Sequence, residues 1–102
     1  MSQLLPQEIA QTLPALYATE GLGMNAMAQV KFFTPDSSWT WYVVEFDGVD
    51  TCFGLVIGHA TEMGYFSLAE LESVRGPWGL PIERDLYFKP TPLEKLMEGR
   101  GR

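Results

Sequence analysis

The hydrophobic rhythm of the chain changes several times, and each change marks an element. Near the start, Leu5, Ile9 and Leu13 recur at i, i+4 and i+8, the stripe of a short helix. Pro6 suits the first turn and Pro14 ends it, so the spacing predicts a helix over 4–13. Residues 15–27 contain Gly21 and Gly23 and read as a loop, with Leu22, Met24 and Met27 as its anchors to the core. From Val30 the period drops to two. Residues 30–34 are rich in β-branched and aromatic side chains and predict a strand. Pro35-Asp36-Ser37-Ser38 signals a turn. Residues 39–46 carry the strongest strand pattern, with Thr40, Tyr42, Val44 and Phe46 on one face and Trp39, Trp41, Val43 and Glu45 on the other.

Asp47-Gly48 is a hairpin dipeptide. Residues 51–57 are apolar on both faces, as a central strand would be, and 62–66 form a fourth strand after a Gly58-His59 turn. Such short connections predict an antiparallel meander. Ser67-Leu68-Ala69-Glu70 reads as a capping box in which hydroxyl and carboxylate each serve the other residue's amide. It opens a two-turn helix with Leu68, Leu71 and Val74 as its stripe. Gly76-Pro77-Trp78-Gly79-Leu80-Pro81 stops that helix. Residues 82–88 alternate and predict a fifth strand. Thr91-Pro92-Leu93-Glu94 is a second capping box, opening a helix through Met97. The sum is an α+β fold. It has a twisted antiparallel sheet of about five strands, with short helices at the N-terminus, after strand four and at the C-terminus, covering one face. Residues 1–98 read as a single globular domain, and 99–102, Gly-Arg-Gly-Arg, as a tail that frays.

Composition adds bounds. At 102 residues, 46% hydrophobic and 20% charged, the chain is globular in character rather than disordered. No apolar run nears the ~18 residues of a membrane span, and the start lacks the basic and apolar regions of a secretory signal. Cys52 is the single cysteine, which excludes an intrachain disulfide and fits a cytoplasmic setting. Charge changes the picture more. The net value is −6, and residues 1–74 set nine acidic side chains against Lys31 alone. That disfavours a phosphate backbone as partner and favours a protein with a basic surface.

Several segments resemble one family. They are Leu4-Leu5-Pro6, Leu16-Tyr17-Ala18-Thr19-Glu20, Val30 to Pro35, Trp39-Thr40-Trp41-Tyr42, Gly64 to Leu68, Glu70-Leu71 and the long run from Arg75 to Phe88. Together they are similar to the family catalogued as domain of unknown function 2958, over nearly the whole chain up to Leu96. The resemblance implies a bacterial protein of plasmids, conjugative elements or phages, found alone or beside antirestriction, methylase or helicase domains. It implies no activity and no catalytic residue.

The residues themselves offer little catalytic chemistry. His59 is the single histidine and sits in a turn; with one cysteine it falls short of the roughly four ligands of structural zinc. Asp47 and Asp50 share a turn, where Asp serves backbone hydrogen bonds, though a carboxylate magnesium site stays open. Cys52 lies in an apolar strand, where a thiol is inert. Neither a Gly-x-Ser-x-Gly elbow nor a phosphate-cradling loop occurs. No catalytic residue, metal or cofactor is therefore assigned.

Two constellations are candidates for binding. The first is Arg75 with Glu83, Arg84 and Asp85. In a strand Arg84 shares the face of Ile82 and Leu86, and a charge there needs a partner, Glu70 or Glu72. It is either a structural ion pair pinning the Gly-Pro loop or an arginine that binds an anion. The second is aromatic: Trp39, Trp41, Tyr65 and Trp78, with Tyr87. These form a binding patch if the helices leave Trp39 and Trp41 uncovered, and core if Trp78 and the helices cover them. The function expected is a non-enzymatic, acidic protein-interaction module of a mobile element, counteracting host defence, with a basic host or element-encoded partner and no membrane role. One alternative is a single-strand nucleic-acid binder using Lys89, Lys95, Arg100 and Arg102 with stacked tryptophans. The other is a small-molecule enzyme built on Arg75, Glu83, Arg84 and Asp85.

Overall fold

In chain order the elements are α1 (Gln7–Ala10), a 3-10 helix (Glu20–Asn25), β1 (Met27–Ala28), β2 (Val30–Phe33), β3 (Thr40–Phe46), β4 (Thr51–Ile57), β5 (Thr61–Ser67), α2 (Leu68–Ser73), β6 (Glu83–Arg84), β7 (Thr91–Pro92) and α3 (Leu93–Arg100). They come from a computed structural model that describes residues 3–100. The helix expected over 4–13 is a single regular turn. Past Ala10 the amides of Thr12 and Leu13 reach back only three residues, and the Thr12 hydroxyl donates to the Ile9 carbonyl at 2.7 Å. A threonine that bonds its own backbone in this way competes with helix extension.

Five strands form one antiparallel sheet in the order β5-β4-β3-β2-β6. The meander of β2 to β5 follows the expected short turns. At the β3–β4 turn, Asp47 Oδ1 accepts from the amides of Val49, Asp50 and Thr51. β4 is paired on both sides, but the centre of the sheet is β3. The register slips between Val43 and Glu45, so that both Val44 and Glu45 occupy the space opposite one residue. This bulge overrides the alternation read from the sequence. Phe46 joins Trp41 and Val43, and Glu45 passes to the side of Phe53. Opposite Val43, Gly54 is required by close approach: a Cβ there would meet the Tyr42 carbonyl oxygen at 1.7 Å.

Helices cover both faces of the sheet, not one. On the first face Val30, Phe32, Trp41, Val43, Phe46 and Cys52 pack with Leu4 and Leu5, with Leu68 and Leu71 of α2, and with Ile82. On the second, Val44, Leu55 and Ile57 pack with Ala26, Ala28 and Leu93, bordered by Tyr42, Phe88 and Leu96. Fully burying a side chain such as Leu5, Phe32 or Leu55 contributes about 1.5–3 kcal/mol each. The second face is covered because β1 and β7 pair with each other, and the Leu93 amide donates to the Ala26 carbonyl at 3.0 Å.

Several local expectations are corrected by the structure. Leu22, Met24 and Met27 are exposed, and Ala26 and Ala28 are the true anchors. Val74, expected on the buried stripe of α2, is exposed just past the helix. The strand expected over 82–88 shrinks to Glu83–Arg84, because Asp85 turns the chain: its carboxylate accepts from the Tyr87 amide at 2.9 Å and its carbonyl from Phe88. Thr91 and Pro92 are spent on pairing β1, and the Thr91 hydroxyl donates to the Lys89 carbonyl rather than capping α3. That helix runs past Met97 to Arg100; Gly101 and Arg102 of the expected tail lie outside the described residues.

Candidate functional site

The charged corner expected around Arg84 does form, but with different partners. Arg84 Nε donates to the Leu4 carbonyl at 3.0 Å, and Glu72 Oε2 accepts from the Leu4 and Gln3 amides. Leu4 therefore stands between α2 and β6, held by an acid on one side and a base on the other. Arg75 Nη1 donates to the carbonyls of Glu72 and Val74, closing the C-terminal end of α2. Asp85 pairs with Lys31 at 3.7 Å. A groove of about 670 Å³ lies over this corner between Glu72, Arg75, Glu83 and Arg84. Each of Arg75, Arg84 and Asp85 is thus engaged in holding the fold.

Residues 75–81 form a tight loop closed by pairing of Arg75 with Pro81 and by the Gly76 amide donating to Leu80. Asp36, from the β2–β3 turn, pins it: Oδ2 accepts from the amides of Trp78 at 2.8 Å and Leu80 at 3.3 Å. Gly76 is glycine because a Cβ would strike the Asp36 carboxylate at 1.7 Å. The loop holds Trp78 84% exposed, and Tyr87 beyond β6 is 89% exposed.

A second site lies at the far end of β3 from this loop. Glu45 is only 2% exposed. Its Oε1 accepts from the Tyr17 amide at 2.8 Å, and Oε2 from both the amide and the hydroxyl of Thr19. Burial pushes the carboxyl pKa up, but those donors outweigh it and hold the group below its ordinary value, hence ionised. Among the described residues no Lys, Arg or His nitrogen pairs with it. Beside it Tyr17, Phe53, Met63, Tyr65 and Leu93 enclose an apolar pocket of about 240 Å³. Phe53 and Tyr65 meet with ring centroids 4.8 Å apart. Tyr65 is pushed above its usual value by desolvation, by the neighbouring Tyr17 hydroxyl, and by the charges of Glu45 and Glu20. Tyr17 has φ +72°, a left-handed conformation rare for a bulky residue. Its amide is held there by Glu45.

The family model described as a protein of unknown function, DUF2958, matches residues 4–98. The chain belongs to this family. No curated protein and no solved structure matches it.

In this DUF2958 chain Arg75, Glu83 and Arg84 share one groove, whereas the aromatic residues singled out in the sequence do not converge. Trp41 is core, and Trp39 is half-buried, stacked on Trp41 at 5.9 Å and edge-on to His59 at 5.3 Å. Of the two arrangements open to that pair, the structure has the core one, with Trp41 in the first-face cluster and Trp39 packed against it. Tyr65 stands at the Glu45 pocket, and Trp78 at the Asp36-pinned loop. Cys52 is buried, and burial followed by the nearby charges of Asp50 and Asp47 pushes its thiol up to about 12, so it is inert at neutral pH. Sequence reading missed Glu45 and Tyr17. The available signal was an acid inside the apolar run Val43-Val44-Glu45-Phe46, since a buried charge demands partners.

Proposed function

We propose that this chain is a non-enzymatic protein-interaction module that docks on a partner with a basic surface. The observation that carries the reading is the meeting, at one end of the sheet, of exposed aromatic side chains with carboxylates. Tyr17 and Tyr65 are 61% and 55% exposed, Met24 and Met63 flank them, Glu20 stands on the same rim and Glu45 beneath. Exposed aromatic surface of this kind marks binding sites, and a net charge of −6 steers basic partners toward it. The setting that goes with this reading is the bacterial cytoplasm. The partner is a host or mobile-element protein, and interference with host defence is the role.

The test is capture from bacterial lysate by the tagged chain, washed at low and high salt and treated with nuclease. The expected result is a basic protein held in a salt-sensitive, nuclease-resistant way. Tyr65→Ala weakens that capture by about 2 kcal/mol and Trp78→Ala leaves it unchanged. Capture indifferent to both salt and Tyr65 would sink the reading. A second reading, single-strand nucleic-acid binding, has its own observation in the exposed, pinned Trp78 as a stacking platform. It expects the reverse pattern: nuclease-sensitive capture that depends on Trp78 and not on Tyr65.

A further inference from the structure

We infer that the pocket between Tyr17, Phe53 and Tyr65 binds a primary alkylammonium group, the end of a lysine side chain. Four features of the site converge on that chemistry. Glu45 is an anion inside the fold whose hydrogen-bond donors are all neutral. Buried charges in proteins are ordinarily paired, so the group that completes this site is a cation. The walls are aromatic and apolar, which suits a methylene stem and adds cation–π attraction at the rings.

Size narrows the ligand. A volume of about 240 Å³ falls below the ~300–1,000 Å³ of pockets for drug-sized molecules and fits one side chain. Acceptor geometry narrows it again. A carboxylate offers about four lone-pair positions. Thr19 takes two on Oε2 and Tyr17 one on Oε1. One position remains, on Oε1. A guanidinium fork needs both oxygens for its bidentate pairing, whereas an ammonium is a point charge satisfied by one. Lysine is therefore preferred to arginine. Only the source of the cation, a side chain of the docked partner, rests on the reading above; the chemistry of the pocket does not.

The isotope-labelled full chain, titrated with Nα-acetyl-lysine methylamide and followed by amide chemical shifts, tests this directly. Saturable shifts are expected at Tyr17, Thr19, Phe53 and Tyr65. The norleucine analogue, which has the stem without the charge, binds about tenfold more weakly, and the arginine analogue is also weaker. Equal binding of lysine and norleucine, or no shift at these four amides, would overturn the proposal. Glu45→Gln removes the charge but also disturbs the 17–19 loop. Tyr65→Ala, at an exposed edge-strand position, is the second variant and lowers lysine affinity about tenfold; unchanged affinity in it also overturns the proposal. In the capture experiment, excess lysine analogue releases the partner. Binding of the analogue without release would overturn the side-chain source. Failure of capture with lysine binding intact would remove the docking reading and leave the pocket standing.

Discussion

Glu45 is a charge kept inside the fold by three donors from residues 17–19, and its acid–base behaviour follows from that. In the unfolded chain the carboxyl titrates near its ordinary 4.5; in the folded chain its pKa is lower. The unfolded state therefore binds the proton first. The stabilisation is complete above pH 4.5 and is lost as the pH falls through the folded-state value. Asp47, held down first by the Val49 amide against some desolvation, then by the amides of Asp50 and Thr51, adds to the same acid slope. Glu45→Gln is expected to cost about 2 kcal/mol at neutral pH. It should also flatten the fall of stability between neutral pH and acid, while the Asp47 part of the slope persists. Denaturant melts across that range measure both. Sequence reading could not place this residue. Strict alternation puts Glu45 beside Trp41 and Val43, and only the extra residue of the bulge moves it to the other face. Its partners lie 26 and 28 positions earlier, in a segment without periodicity.

Among the elements, α2 shows how a local signal and a distant residue share one task. The expected half of the capping box is present: the Ser67 hydroxyl accepts from the Glu70 amide at 3.2 Å. The carboxylate at the helix start, however, comes from Asp50 in the β3–β4 turn. Its Oδ2 accepts from the Ser67 hydroxyl, its Oδ1 from the Ala69 amide at 2.8 Å, and its carbonyl from the Leu68 amide. Asp50→Ala is accordingly expected to cost about 1–2 kcal/mol. Glu70→Ala, on the exposed side, should cost less than about 0.5 kcal/mol. Paired chemical denaturation curves distinguish the two, and a larger loss from Glu70→Ala would restore the box read from the sequence. The strands between Val30 and Ser67 were legible because their period, turn residues and lengths agree with one another. The final segment was not. There the alternation over 82–88 competes with the turn chemistry of Asp85, and the Thr91-Pro92 cap signal competes with a strand partner, β1, that no local pattern reveals.

At the scale of the molecule, covering both faces of the sheet divides the aromatic residues between interior and surface. Trp39 and Trp41 stack within the first face, with the Trp39 ring lying over Gly58, where a Cβ would meet it at 2.2 Å. Trp78 stands in water at the tip of a loop that Asp36 holds still. The three indoles therefore divide the fluorescence of the protein into two separately readable signals. The stacked pair emits from a shielded setting and reports the integrity of the sheet. Trp78 emits at longer wavelength and is open to a soluble quencher such as acrylamide. A protein seated at Tyr17 and Tyr65 leaves Trp78 as quenchable as before, whereas a nucleobase stacked on its ring shields it. Quenching measured with and without the captured partner thus tells which end of the molecule is occupied, without any substitution.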